Sequence, residues 1–159
     1  MMKIKIIALG SLKEKYLREA SAEYEKRLRG YCSLEIAEIE PVRLPDKPSE
    51  GEIAAALEKE AGLILKKIPD GSAVFALCIE GKSLSSTELA AEVASLRNTG
   101  RNLTFIIGSS CGLADKVKQK AGKKLSFSAM TFPHQLFRIM LLEQIYRAFK
   151  ISEGGAYHK

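Results

Sequence analysis

Apolar and polar positions along this chain repeat in two alternating patterns, one typical of strands and one typical of helices. Continuous or alternating apolar runs predict strands over residues 3–9, 34–39, 73–79 and 103–107. Apolar residues at helical spacing predict helices over residues 13–29, 49–67, 85–100 and 114–121. Because strand and helix follow each other with little chain between them, we expect an α/β fold in which helices cover both faces of a parallel sheet.

Two of the predicted helices begin with a serine and a glutamate at the spacing of a capping box. Ser49 and Glu52 have this spacing at one helix start, and Ser85 and Glu88 have it at the next. In such a pair each side chain accepts a hydrogen bond from the backbone N–H of the other residue, which satisfies donors that the first turn leaves free. The pattern therefore predicts where both helices begin.

The C-terminal stretch that follows Leu125 has a different pattern. After a short apolar run and a turn at Pro133, it is apolar on nearly every face from Leu136 to Phe149. A helix of this composition is stable only when it is buried in its own domain or against a second copy of the chain. A polar, glycine-containing tail follows, with Tyr157, His158 and Lys159 at its end. Two interpretations of this tail stay open, disorder and a functional role.

The length and composition of the chain limit its class. With 159 residues it suffices for one domain with its own core, so we expect a single domain over residues 1–159. Its apolar fraction of 46% is ordinary for a soluble globular protein, and no apolar run approaches the roughly 20 residues of a membrane-spanning helix. The apolar start, MMKIKIIALG, is too short for a signal peptide. We expect a cytoplasmic protein that does not contact a membrane.

The cysteines and the net charge indicate which metal sites and binding partners to expect. Three cysteines without a close pair predict reduced thiols and no metal site. The formal charge of +6 is a modest bias towards polyanions, and an ordinary solvated surface explains it equally well. Lysines near the predicted short helix are candidate phosphate contacts, although a solvated helix face is the commoner meaning of such a run: Lys116, Lys118, Lys120, Lys123 and Lys124.

Candidate ligand-binding loops are those that follow the carboxyl ends of parallel strands. Residues 80–83, 108–113 and 126–133 qualify. The first loop contains Gly-Lys-Ser, similar to the end of a phosphate-binding P-loop, but that motif requires a glycine where this chain has Ala76. The second loop has two glycines, which let backbone approach a ligand, but it has no G-x-G-x-x-G fingerprint. A plain turn explains those glycines equally well.

Cys111 and a histidine are the residue types of a nucleophilic pair, which raises the hypothesis of a hydrolase. No diagnostic spacing supports it, and a cysteine in a glycine-rich turn is more often a small residue that fits. His134 stands at a predicted helix start, where a capping or packing role is the simpler interpretation. His158 has no core to fill, so a site role and a disordered tail stay equally open.

Several segments of the chain closely resemble one known family. FIIGSSCGL, FSAMTFPHQL, LLEQIYRAFK and the terminal AYHK are similar to the bacterial large-subunit rRNA methyltransferase H family, which are small SPOUT methyltransferases. The resemblance covers the whole chain. It implies methylation of N3 of a pseudouridine in 23S rRNA within the ribosome, with S-adenosylmethionine as the methyl donor.

The same resemblance implies a more specific fold than the periodicity does. Members of the family tie the C-terminal part of the chain, here about residues 73–159, into a trefoil knot. They bind S-adenosylmethionine in this knot and form homodimers through it. The resemblance assigns the following cofactor contacts: Leu77, Gly108, Phe127, Ser128, Ala129, Met130, Thr131 and Phe132.

Catalytic roles follow from side-chain chemistry together with the matching YRAFK and AYHK segments. The N3 proton must be removed, so we expect His158 to act as base or proton relay, while Arg147 and Tyr157 hold the nucleobase or a phosphate. For Arg138 and Glu143 the alternative to a catalytic role is a structural one, in which they pair along or between helices. The chief competing function is a basic dimer that binds the ribosome without catalysis, which cofactor binding distinguishes from an enzyme.

The chain departs from the usual family pattern at two places. Ser109 stands where a second glycine commonly follows Gly108, and Gly154-Gly155 precede the terminal AYHK. We expect the first difference to tighten the loop and the second to loosen the tail. Neither difference changes the predicted class of protein.

Overall fold

The computed structural model describes residues 1–158, in which five strands and five helices alternate, and Lys159 lies outside the described residues. The strands are β1 (Lys3–Leu9), β2 (Ser33–Ile39), β3 (Ala73–Ser83), β4 (Leu103–Ile107) and β5 (Lys123–Ser126). The helices are α1 (Lys15–Leu28), α2 (Glu50–Lys67), α3 (Ser86–Asn98), α4 (Asp115–Lys120) and α5 (His134–Ser152). The predicted alternation of strand and helix is confirmed.

The five strands form one parallel sheet in the order β2-β1-β4-β3-β5. Neighbouring side chains along a strand point to opposite faces, so Ile6 packs with α1, α3 and α5 while Ile7 packs with α2 and α4. Both faces are therefore buried, which explains the continuous apolar runs of the central strands. The carboxyl ends of β1, β4 and β3 meet at one edge of the sheet. Across residues 1–158, no helix combines the length and apolar content needed to cross a bilayer.

Both predicted capping boxes are present. Glu52 N donates to Ser49 Oγ at 3.1 Å, and Ser49 N donates to Glu52 Oε1 at 3.2 Å. Glu88 N donates to Ser85 Oγ at 3.1 Å, and Ser85 N donates to Glu88 Oε2 at 2.7 Å. The local sequence thus determines where α2 and α3 begin.

The predicted loop at residues 80–83 is wrong, because β3 continues to Ser83. Its pairing with β5 is irregular, and Leu77 and Lys82 both pair with Leu125, so the residues between them bulge from the sheet. Gly81 allows pairing to resume, since a Cβ there would lie 2.5 Å from the carbonyl carbon of Leu125. The apolar pattern ends earlier because it reports burial, and this end of β3 is largely exposed.

The apolar helix α5 is buried within its own chain. One side of it packs between α1 and α3 through Leu141, Leu142, Ile145 and Phe149. Leu136 on its first turns keeps 41% of its surface exposed. The burial that its composition requires is therefore met largely inside the domain.

Arg138 is the buried charged residue that joins α5 to the sheet. It is 5% exposed, and it donates to Glu38 Oε2 on β2 at 2.7 Å and to the carbonyl of Gly10 at 2.8 Å. Gly10 follows β1, so this one guanidinium links α5 to two neighbouring strands. The structural role considered for Arg138 is confirmed, with a strand as its partner.

We expect Arg138→Met to lower the free energy of unfolding by about 2 kcal/mol, because two hydrogen bonds of a buried charge are lost while the side-chain volume is kept. Urea unfolding monitored by circular dichroism measures the change. Lys15→Met is the matched control, since Lys15 and its partner Glu19 are 82% and 65% exposed and such pairs contribute less than about 1 kcal/mol. Equal losses in the two variants would contradict the role of Arg138.

Candidate functional site

A cavity of about 390 Å³ lies at the carboxyl edge of the sheet. It is lined by the end of β3, by the β4–α4 loop (residues 108–113) and by the β5–α5 loop (residues 127–133). We call it the first cavity. The predicted cofactor contacts that line it are Leu77, Gly108, Phe127, Ser128, Met130, Thr131 and Phe132. Ala129 belongs to the same loop but does not form part of the wall.

The β4–α4 loop folds back tightly on itself. Gly112 N donates to the carbonyl of Ser109 at 2.9 Å, and Gly112 has a φ of 85°, which favours glycine. A Cβ on Gly108 would lie 2.4 Å from the carbonyl oxygen of Gly112. The bend therefore requires glycine at position 108, and it leaves backbone exposed towards the cavity.

Two serines hold the β5–α5 loop, one at the end of β5 and one within the loop. Ser126 Oγ donates to the carbonyl of Ser128 at 3.1 Å, and Met130 N donates to Ser128 Oγ at 3.0 Å. The ring of Phe127 packs on that of Phe137 from α5, with centroids 4.8 Å apart. These contacts hold one end of the loop while Met130 stays 74% exposed.

A second cavity, of about 440 Å³, adjoins the first. The two share part of the wall between β5 and α5, including Phe127 and Phe132. The wall of the second cavity also contains Tyr24 from α1 and Glu143 and Gln144 from α5. Glu143 and Gln144 therefore line the second cavity but not the first, whereas His134 at the start of α5 lines the first cavity directly.

The three predicted catalytic residues meet around Glu143, and we call these four residues the tail cluster. Glu143 Oε1 accepts from Arg147 Nη2 at 2.6 Å and from the Tyr157 hydroxyl at 3.2 Å. Arg147 Nη1 lies 3.3 Å from His158 Nδ1, and the Arg147 guanidinium stacks over the Tyr157 ring at 4.7 Å. The tail is therefore ordered by contacts with α5, and Glu143 has the structural role that was its alternative.

Electrostatics of the tail cluster stabilise its protonated forms. The hydrogen bond to Glu143 raises the pKa of Arg147. Burial raises the pKa of Tyr157, and the negative charge of Glu143 raises it further. Tyr157 is thus a phenol at neutral pH, able to donate a hydrogen bond.

Within one chain, the tail cluster and the first cavity are apart. Arg147, Tyr157 and His158 are absent from the walls of both cavities. His134 at the start of α5 lines the first cavity, and an α-helix rises about 1.5 Å per residue, so Arg147 lies roughly 20 Å further along the axis. The structure brings the predicted cofactor residues together and the predicted catalytic residues together, but as separate groups.

Other candidate chemistry finds less support. Cys111 and His134 both line the first cavity, yet within residues 1–158 no hydrogen bond joins Cys111 to a histidine. No group of three or more histidine, cysteine, aspartate or glutamate residues in the described chain is arranged to hold a metal ion. Three lysines of the predicted phosphate cluster are paired with carboxylates, as Lys116–Glu58, Lys118–Glu80 and Lys123–Glu92. Their charge is partly neutralised within the chain.

Sequence reasoning missed part of the wall of the first cavity. Cys78 and Ile79 line it from the bulge in β3, and Lys118 lines it from α4. Glu80, which belongs to the candidate segment 80–83, also lines it and pairs with Lys118. Burial raises the pKa of Cys78, and Glu80 raises it further, so this thiol is not an activated nucleophile. A glycine inside a strand often marks a bulge, so Gly81 is a local sign that β3 bends here.

The comparisons with known proteins agree with this fold. The model of a family described as predicted SPOUT methyltransferase matches residues 2–158. This chain belongs to the SPOUT methyltransferase family. It is therefore an enzyme that transfers a methyl group from a donor. The family and the parallel α/β fold expected from its sequence are confirmed.

Among relatives of this SPOUT methyltransferase are proteins named ribosomal RNA large subunit methyltransferase H. The one from Enterococcus faecalis is 48% identical over 159 residues, which covers 99% of this chain and 100% of the relative. The one from Clostridium beijerinckii is 52% identical over 159 residues, with the same coverage. The solved structure of a probable methylase family protein from Haemophilus influenzae has a TM-score of 0.56 at 14% identity, covering 95% of this chain and 66% of that chain. This last likeness concerns the fold alone.

We expect Gly108→Ala to lower the free energy of unfolding by about 1–3 kcal/mol, because the added methyl group must displace the backbone of Gly112. Hydrogen exchange should become faster in residues 108–113. Gly62→Ala is the matched control, since a Cβ there meets nothing within 4 Å and alanine favours helix α2. A Gly108 variant as stable as the Gly62 variant would show that the bend is less tight than described.

Proposed function

We propose that this methyltransferase uses S-adenosylmethionine to methylate N3 of a pseudouridine in 23S rRNA. The observation that carries the proposal is the first cavity, whose wall is built from the end of β3 and two loops at the carboxyl edge of the sheet and contains seven of the eight predicted cofactor contacts. The names and full-length similarity of the relatives support the substrate class. Because bacterial ribosomes are cytoplasmic, the proposed activity is cytoplasmic too.

The residues of the first cavity fit this cofactor. Leu77, Met130 and Phe132 offer apolar surface for the faces of an adenine ring, and the bend at Gly108 offers backbone groups at close approach. The cradle has no room for a side chain at position 108. Bound here, S-adenosylmethionine would supply an activated methyl group on a sulfonium centre. The contribution of the chain is then to align the nucleophile with that group.

The tail cluster is proposed to manage the N3 proton and the charge of the ring. A guanidinium can only donate, so the contact with Arg147 makes His158 Nδ1 the acceptor and leaves the proton of a neutral imidazole on Nε2. In this arrangement His158 can donate to a carbonyl oxygen of the base. To take up the N3 proton at Nδ1, His158 must first separate from Arg147, and a phosphate or ring oxygen of the substrate is a suitable new partner for the guanidinium.

A homodimer is proposed to bring the tail cluster to a cavity. Ile79 and Met130 line the first cavity yet are 60% and 74% exposed, and Leu136 nearby is also exposed. Apolar surface of this kind around a site favours a protein interface. A second copy packed here would cover it and could present its own tail cluster to the cavity, across a distance that one chain does not bridge. The trefoil knot remains a prediction.

Incubation with methyl-labelled S-adenosylmethionine and ribosomes lacking the native modification should place label on N3 of a pseudouridine in 23S rRNA. Nucleoside mass analysis after nuclease digestion locates the label. Heat-denatured enzyme and fully modified ribosomes are the controls. Binding of the cofactor without any label would move the substrate elsewhere, and absence of both would favour the alternative of a ribosome-binding protein without catalysis.

We expect His158→Ala to reduce turnover by about 10²-fold or more, the usual contribution of a proton-transfer group, with an unchanged affinity for S-adenosylmethionine. Single-turnover kinetics and calorimetry measure the two quantities. His158→Asn is the matched variant, because its amide can still accept from Arg147 but cannot take up a proton. Full activity of the Asn variant would show that His158 does not transfer a proton and only accepts a hydrogen bond from Arg147.

The proposed homodimer is tested by the mass of the protein in solution. Sedimentation should report twice the 17.5 kDa mass of one chain. An active enzyme that sediments as a single chain would require the tail cluster to act within its own protomer, against the separation described above.

A further inference from the structure

We propose that Glu60 is a positioning residue for the methyl donor and acts through the hydroxyl of Ser109. This inference rests on the proposed function, since it takes the first cavity as the donor site. Glu60 lies on α2 and does not line the cavity, whereas Ser109 lies in the β4–α4 loop and does. The two residues are 49 positions apart in the chain.

The surroundings of Glu60 are unusual for a carboxylate. It is 3% exposed, and within residues 1–158 it forms no ion pair. Its Oε1 accepts from Ser109 Oγ at 2.9 Å, and its Oε2 accepts from Val42 N at 2.9 Å. A buried charge without a cation is unfavourable unless hydrogen bonds compensate for the lost water, so both bonds are needed to keep it there.

Packing of α2 does not explain this carboxylate. The neighbouring Ala61 and Ile64 are each 1% exposed and already anchor the helix in the core beneath the sheet. An apolar side chain of similar volume at position 60 would satisfy packing at least as well. What only the carboxylate supplies is a strong, directed acceptor for the two groups it contacts.

The contact with Ser109 acts on the bend that shapes the cavity. The carbonyl of Ser109 accepts from Gly112 N at 2.9 Å, and this turn brings Gly108 against the carbonyl of Gly112. A fixed Ser109 side chain therefore holds the backbone that faces the proposed donor. The second contact, to Val42, ties the chain after β2 to the same carboxylate.

The hydrogen bond to Glu60 explains why a serine stands at position 109. A glycine there would leave the loop without a side-chain tether and would leave Oε1 of Glu60 without a partner. Serine and glutamate therefore act as a pair in this chain, and each is expected to lose its effect on donor affinity when the other is absent.

The test is a double-mutant cycle on the affinity for S-adenosylmethionine, measured by calorimetry on the full chain. We expect Ser109→Ala to raise Kd about tenfold, the equivalent of roughly 1.4 kcal/mol. Glu60→Gln keeps an acceptor for Val42 but removes the charged acceptor of Ser109, and we expect it to raise Kd about threefold to tenfold. In the Ser109→Ala background, Glu60→Gln should have no further effect on Kd.

Ser21→Ala is the matched control. Ser21 is buried on α1, its hydroxyl donates to Glu25 Oε1 at 2.7 Å, and it does not line the first cavity. Loss of this serine–glutamate bond should lower stability without changing Kd. A purely structural role of Glu60 would give the Ser109 and Glu60 variants this same behaviour.

The outcomes separate the two proposals. Binding by the unmodified chain, together with the non-additive losses described, supports the inference. Equal Kd values for the unmodified chain and all variants, or additive losses, would overturn the inference and leave the proposed function intact. Failure of the unmodified chain to bind S-adenosylmethionine would overturn the proposed function and the inference together.

Discussion

Burial of α5 is the constraint on which the arrangement of both functional groups depends. This helix has little polar surface on the side that faces α1 and α3, so it can lie only in the groove between them above the sheet. Arg138 adds a directed contact, because its guanidinium reaches β2 and the residue that follows β1. With the helix held in this way, its first turn must lie at the carboxyl edge of the sheet and its last turns at the tail cluster.

Two glutamates organise the polar parts of the molecule in different ways. Glu143 is partly exposed and gathers a guanidinium and a phenol at the end of α5, which orders a tail that would otherwise fray. Glu60 is buried and accepts only from a hydroxyl and a backbone N–H. The first arrangement can rearrange at modest cost when a substrate arrives, because water can replace a lost partner. The second cannot, since an unpaired carboxylate in the core is strongly unfavourable.

The net positive charge of the chain is distributed more evenly than the sequence pattern indicates. The lysines around α4 are prominent in the sequence, yet three of them pair with glutamates from α2, β3 and α3. Exposed pairs of this kind contribute little to stability and open easily near a polyanion. Long-range attraction of RNA by the formal charge of +6 is compatible with this surface, whereas contact at one cluster is not required by it.

The sequence by itself determined the elements and the class of this protein. Apolar periodicity located β1 to β4 and the helices but not the short strand β5. Capping boxes set two helix starts, and the segments around Gly108 and Phe132 indicated the family. Only the tertiary structure decided that β3 continues through a bulge to Ser83, that the tail folds back onto Glu143, and that Glu60 meets Ser109. The physical reason is that periodicity records which face of an element is buried. Contacts between residues far apart in the chain depend on the strand order, which no local pattern contains.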